Sequence, residues 1–279
     1  MIHVIINMRY IKVIFLLLIL TWGGLNARGQ RAEIGLNAGG AGYIGDLNQF
    51  NPVKISGIST GIFAKINFDP YWGVGLHYNY GRIKADDRTS GNIVFRARNL
   101  NFHTTLHEIA FIGSFSFIDM YSPGSKKRLS PFLFLGMGGV IFNPKGEFND
   151  SEFELRDYQT EGQTSLYRKY AVAIPYGAGV KYKKSENWTI FGQIGYRTVF
   201  TDYLDDVSGV YPLTDAVHKS WLDRNGNPLN LTDRSEELYG APGKFNPGDQ
   251  RGDFRKRDTY LFVNIGISYT FVGQKCFTF

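Results

Sequence analysis

The sequence predicts an all-β fold, an eight-stranded antiparallel transmembrane β-barrel with short periplasmic turns and long extracellular loops. Three observations carry this expectation: an export signal at the N-terminus, eight strand-length segments of which seven alternate apolar and polar residues, and connections that alternate between short and long. The composition agrees. The chain of 279 residues holds 33 glycines, 22 phenylalanines and 17 tyrosines, a pairing of small and aromatic residues typical of β proteins.

The signal comes first. Arg9 and Lys12 precede the apolar run Val13–Leu20, which is too short to cross a bilayer as a helix. Ala27 and Gly29 supply the small residues of a cleavage site, so residues 1–29 read as a signal peptide and 30–279 as the barrel. A start at Met8 gives a more conventional signal length, and no cysteine follows the site to mark a lipoprotein. Cleavage removes Arg9, Lys12 and Arg28 and no acid, so the formal charge of +6 falls to +3. A sequence pI of 9.2 therefore makes no case for nucleic acid. The single Cys276 excludes a disulfide framework and any multi-cysteine metal site.

The strands follow in order. The segment from Glu33 to Gly45 sets Ile34, Leu36 and Ala38 against Glu33, Gly35 and Asn37, and a strand sends these sets to opposite faces. From Ile58 to Phe68, Ile62, Ala64 and Ile66 oppose Ser59, Gly61 and Lys65. From Trp72 to Gly81, Trp72, Val74, Leu76, Tyr78 and Tyr80 oppose Gly73, Gly75, His77 and Asn79. His107 to Phe117 sets Ile109, Phe111 and Phe115 against Glu108 and Ser114. Phe132 to Phe142 is apolar in both phases, so its facing is open. Tyr170 to Lys183 opposes Val172, Tyr176, Val180 and Tyr182 to Gly177, Gly179 and Lys181, and Trp188 to Phe200 opposes Trp188, Ile190, Ile194 and Tyr196 to Gln193, Gly195 and Arg197. Tyr260 to Phe271 places Leu261, Val263, Ile265, Ile267, Tyr269 and Phe271 on one face.

Between these segments, the first, third, fifth and seventh gaps (46–57, 84–101, 143–169 and 201–258) are mostly longer than the second, fourth and sixth. Outer-membrane barrels have this asymmetry, and an even strand number returns both termini to the periplasm. Trp72, Tyr182, Trp188, Tyr269 and Phe271 fall at the short-turn ends, with Tyr80 and Phe200 toward the other, as interfacial girdles require. A soluble lipocalin-like barrel is the competing architecture.

Several spellings of chemistry occur without their context. Gly40, Gly42 and Gly45 form a G-x-G-x-x-G, but no helix follows to hold a dinucleotide phosphate. Ser59 is central in G-I-S-T-G, where a nucleophile elbow needs a strand–turn–helix; paired with inward His77 it leaves a barrel hydrolase as a remote alternative. His103 and His107 flank H-T-T-L-H-E, a helical metal spacing that a strand stretches to about 13 Å. The stretch from Asp223 to Asn230 resembles a calcium loop but carries Pro228 where glycine is needed, and Asn225-Gly226 reads instead as a hairpin turn. The inward phase contains five charges, Glu33, Lys65, Glu108, Lys181 and Arg197, which must pair in a barrel only wide enough for its own side chains. A salt-bridged plug is expected rather than a conducting channel. The last loop, 201–258, is near neutral and aromatic, and reads as an ordered, partner-facing surface.

The run Gly39–Asn48 and the stretch Gly57–Asp87 resemble PorG-type proteins, small outer-membrane barrels of the type IX secretion system. The resemblance is most specific at Tyr43-Ile44-Gly45-Asp46-Leu47-Asn48 and at the turn Asp69-Pro70-Tyr71-Trp72 through Gly75. It implies an outer-membrane location against a periplasmic ring made of a lipoprotein and its partner subunit, with no catalytic residues, cofactor, metal, nucleic acid or small-molecule substrate. The basic turn with Lys126, Lys127 and Arg128 is the expected ring contact, unless these bases meet anionic lipid. The alternative is a generic small outer-membrane barrel that stabilises the envelope, adheres, or conducts weakly.

Overall fold

The computed structural model describes residues 31–271, apart from Pro123, Asp150, 214–220, 223–227, Ala241, Pro242 and Phe254. The signal peptide, Cys276 and the centre of the calcium-like stretch lie outside the described residues.

Among the described residues eleven strands occur in chain order: β1 (Arg31–Ile44), β2 (Ile55–Asn67), β3 (Trp72–Asp86), β4 (Asn101–Ser116), β5 (Leu129–Phe148), β6 (Ser151–Glu154), β7 (Tyr170–Lys183), β8 (Trp188–Val199), β9 (Trp221–Leu222), β10 (Pro228–Leu229) and β11 (Thr259–Phe271). Eight of them close the barrel. Each long strand pairs antiparallel with the next, from β1 through β5 to β7, β8 and β11. β11 then returns to β1, from Ala32 opposite Phe271 to Ile44 opposite Thr259. Closure leaves the wall no free edge. β6 extends the sheet beside the loop end of β5, and β9 pairs with β10 around the expected hairpin position.

The wall faces lipid-like surroundings over its lower part. Ile62 is 62% exposed, Phe111 66% and Ile265 71%, so these side chains are not turned toward a core. Such a continuous apolar belt has no counterpart on a soluble monomer. At the short-turn end the belt is rimmed by packed rings, Trp72 on Phe115 at 4.8 Å and Trp188 on Tyr269 at 5.1 Å. Tyr80 and His107 meet at 5.4 Å near its other rim. From Trp72 to Tyr80 the strand runs about 26 Å, or about 20 Å along the axis at the usual tilt.

Above Tyr80 the pattern inverts within one strand. On β3, inward His77 and Asn79 give way to inward Ile83 and Ala85, while outward Leu76 and Tyr78 give way to outward Arg82 and Lys84. β4 changes in step, from inward Ser114 and Glu108 to inward Leu106 and Phe102. The wall therefore rises past the apolar belt as a collar with an ordinary hydrophobic core of Tyr43, Ile83, Phe102, Leu106, Phe142 and neighbours. This corrects the expected gaps at 84–101 and 143–169, because β3, β4 and β5 run on into them. It also corrects Leu261, which shares the outward phase of β11 but is fully buried. On β5 the open facing resolves: Leu133, Leu135, Met137 and Ile141 point out, while Phe132, Phe134, Val140 and Phe142 point in.

Inside the lower barrel, phenylalanine rings lie against bare backbone. A Cβ on Gly35 would meet the Phe63 ring at 2.4 Å, on Gly266 that of Phe191 at 2.3 Å, and on Gly179 that of Phe132 at 2.5 Å. The abundance of glycine with phenylalanine is thus a packing solution for a narrow tube.

Candidate functional site

The expected interior charges all lie inside the barrel, and the structure gives each a partner. Glu33 and Lys65 sit directly opposite in the β1–β2 register, and their ion pair spans 2.7 Å. Asn67 donates to the same carboxylate at 2.9 Å. Lys181 donates to the Ser116 hydroxyl at 2.9 Å and lies 4.8 Å above the Phe132 ring. One level higher, Arg197 meets Glu108 at 3.3 Å across strands that are not neighbours. Glu108 also accepts from Asn79 at 2.7 Å and from the Tyr260 hydroxyl. Both charges of this pair are buried, so each hydrogen bond removes an otherwise costly unsatisfied group.

Between the two ionic levels, Phe63, Phe132, Phe134 and Phe191 fill the lumen. The cavity there measures about 40 Å³. That is room for about one water, far below a drug-sized ligand pocket of roughly 300 Å³ or more. Ser59 and His77 do not meet in it. Ser59 stands opposite Gly81 and bonds Asn264, whereas His77 stands opposite Phe63 and stacks on it at 4.9 Å. Four strand positions, about 13 Å, separate them. His103 and His107 likewise part company: His103 approaches Glu152 at 3.3 Å, and His107 bonds Tyr78 at 2.9 Å.

The mouth is closed by the last long loop. Leu204 and Val207 are buried in the collar core, and Thr104 donates to the Leu204 carbonyl at 2.7 Å. The motif residues hold this cap. Tyr43, at the top of β1, donates to Asp205 and to Asp258 at 3.3 Å. Gly45 has no room for a side chain, since a Cβ would stand 2.1 Å from the Tyr43 hydroxyl and 2.2 Å from Asp258. Asp46 accepts from the Asp253 amide, and its carbonyl accepts from Arg98 at 3.1 Å. Sequence reading missed this cluster, because its carboxylates come from three separate segments, at Asp46, at Asp202 and Asp205, and at Asp258.

Asp46, Asp202 and Asp258 bring one carboxylate oxygen each within 4.8 Å of one another. Burial, with the Asp253 carboxylate beside it, pushes Asp46 up to about 7. Burial likewise lifts Asp202 to about 6 against the Ser208 hydroxyl, and Asp206 to about 6 against the nearby Arg251. Asp205 and Asp258 are raised well above the ordinary carboxylate range, first by burial and then by neighbouring aspartates. Protonation of these carboxyls relieves the repulsion between buried aspartates. Beside it, Arg251 pairs with Glu161 at 3.0 Å and Arg98 with Asp87 at 2.7 Å.

At the opposite end the second motif makes a tight turn. Pro70 presets the backbone, and Asp69 accepts from the Tyr71 and Trp72 amides, both at 2.7 Å. The neighbouring turn folds beneath the barrel, where Lys183 donates to the Met120 carbonyl and Arg31 to the Tyr121 carbonyl, each at 2.9 Å. Lys126, Lys127 and Arg128 stand exposed beyond it. β5 begins directly after them, at Leu129.

A closed eight-stranded meander with an apolar belt, an ion-paired lumen and a capped long-loop end defines a barrel of the outer-membrane type. The chain belongs to the family described as a domain of unknown function (DUF6089), which matches residues 9–227. No curated protein matches it in sequence. Among solved structures it is similar to Ail, the attachment invasion locus protein of Yersinia pestis, at 10% identity, covering 88% of this chain and 100% of that one with a TM-score of 0.40. Neisserial surface protein A is similar at 11% identity, with 88% and 100% covered and a TM-score of 0.40. The outer membrane protein OprG from Pseudomonas aeruginosa is similar at 11% identity, with 88% and 98% covered and a TM-score of 0.40.

Proposed function

We propose that this chain is a non-enzymatic outer-membrane barrel that anchors the type IX protein secretion system, contacting a periplasmic ring of a lipoprotein and its partner subunit. The observation that carries the reading is the filled lumen: with about 40 Å³ of space, the barrel acts through its surfaces. Support for the system comes from the PorG-type spelling of Tyr43–Asn48 and Asp69–Gly75, whose residues hold the cap and the short turn. Lys126, Lys127 and Arg128 offer the ring an exposed basic edge on a braced turn.

The test is co-purification from mild detergent. Ring subunits are expected with the native chain and at least about tenfold less with Lys126→Glu/Lys127→Glu/Arg128→Glu, since each lost surface charge contact contributes on the order of 1 kcal/mol. Deletion of the gene is expected to stop secretion of type IX cargo; intact secretion would end the anchoring role. A second reading, an adhesive barrel acting at the outer face, is favoured by exposed Phe50 (78%) and Ile93 (69%) at the loop tips. Surface binding that survives loss of the secretion system would select it.

A further inference from the structure

On the outer wall a groove of about 840 Å³ crosses the strands where the belt meets the collar. Its floor has a definite origin. One row across the wall reads Tyr78, Ile109, Gly139, Val172, Phe200 on β3, β4, β5, β7 and the end of β8. Four large outward side chains thus flank one glycine. A Cβ on Gly139 would meet nothing closer than the Ala171 carbonyl at 4.0 Å, so the gap is open space rather than a packing need.

The groove's upper rim is cationic. Arg168 lines it and stands 5.7 Å over the ring of Tyr170, and Arg257, just outside the lining, stands 4.2 Å over the ring of Phe200, which does line it. Both guanidinium groups are exposed, and among the described residues neither has a carboxylate partner. Stacking on a ring holds a guanidinium in place with its donors facing outward, the arrangement that suits a phosphate. An apolar slot the width of one side chain leads up to two such groups at the level of the aromatic rim. Hydrocarbon below and anion above is the polarity of a single lipid molecule.

We propose that this groove is a binding site for a phosphorylated lipid, with an acyl chain over Gly139 and the headgroup phosphate at Arg168 and Arg257. The proposal rests on the outer-membrane reading and names which lipid chemistry the wall selects.

The full mature chain is refolded into phosphatidylcholine nanodiscs containing a minor fraction of phosphatidic acid, and lipids retained after transfer to detergent are counted by native mass spectrometry. The native barrel is expected to retain phosphatidic acid over phosphatidylcholine. Arg168→Ala/Arg257→Ala should lower that preference roughly tenfold or more, two interfacial charges being lost. Gly139→Leu, which fills the slot without a backbone clash, should lower retention of both lipids and leave their ratio unchanged. A native barrel without preference overturns the proposal, as does a preference that survives the double substitution or retention unaffected by Gly139→Leu. Displacement of the lipid by inorganic phosphate also overturns it, by revealing a plain anion site. Failure of the chain to insert into bilayers at all overturns the outer-membrane reading as well; insertion without selectivity overturns the lipid site alone.

Discussion

The two halves of β3 obey opposite rules. Below Tyr80 the strand puts leucine and tryptophan outside with histidine and asparagine inside; above it, isoleucine and alanine go inside with arginine and lysine outside. The backbone and hydrogen-bond ladder are continuous across the change, since β3 pairs with β4 from Trp72 through Asp86. What changes is the solvent. The lower wall meets hydrocarbon, so its polar groups must find partners in the lumen, whereas the collar meets water and is built like a soluble protein. The lesson is that a strand's facing cannot be read without knowing the medium on each side.

The sharpest way to break this comparison is to remove one member of the lumen pair. Glu108→Ala leaves the buried Arg197 uncompensated and is expected to cost about 3–5 kcal/mol, read by urea unfolding of the barrel in lipid vesicles. Replacing both, as Glu108→Leu/Arg197→Met, should restore most of that loss. If the double variant is no better than the single, pairing is not what the lumen charges contribute.

A smaller effect separates the two outer faces of one strand. Leu76→Arg, in the belt, should destabilise the inserted barrel by about 2–4 kcal/mol. Lys84→Leu, on the same face of the collar, should stay within about 0.5 kcal/mol. Equal costs at both sites would place the membrane boundary elsewhere.

The least global effect concerns pH. Asp46, raised to about 7, and Asp202 and Asp206, raised to about 6, bind protons more tightly folded than unfolded. Their contribution to the cap is complete below the ordinary carboxylate value near 4 and is lost as pH rises through 6 to 7. The charges facing the cluster from neighbouring segments are Arg98, Arg251, Arg255, Asp253 and Glu161. Hydrogen exchange, corrected for intrinsic rates, should therefore show less protection of 201–209 at pH 8 than at pH 5. The belt strands should not change. Asp205→Asn should flatten the difference, and a cap more protected at pH 8 would contradict this account.

These particulars also show what was legible in the sequence. The belt was, because lipid outside and filled lumen inside impose a period of two that a single phase of apolar residues reveals. The collar was not. Ile83, Phe102 and Phe142 continue the alternation with the phases exchanged, so a search for apolar-out strands stops near Gly81, His107 and Phe142. The Glu33–Lys65 pair joins β1 to β2 across a long loop and past a register shift at Ala41/Gly42, so the opposite charges were visible but their register was not. Glu108 with Arg197 crosses the lumen between strands that never pair, and no sequence spacing encodes it. The motif around Tyr43 was visible as a spelling only; its reason lies with aspartates more than 150 residues away.

Tyr43 and Asp258 stand at the loop ends of the strands made first and last, one residue before the end of β1 and one before the start of β11. The seam between β1 and β11 cannot form until the whole chain is present, and their hydrogen bond lies at its loop end. Closing this wall is therefore a step that waits for the last strand, and the Tyr43 hydroxyl joins that seam to Asp205 of the capping loop as well as to Asp258. One side chain thus ties the closure of the tube to the seating of its lid.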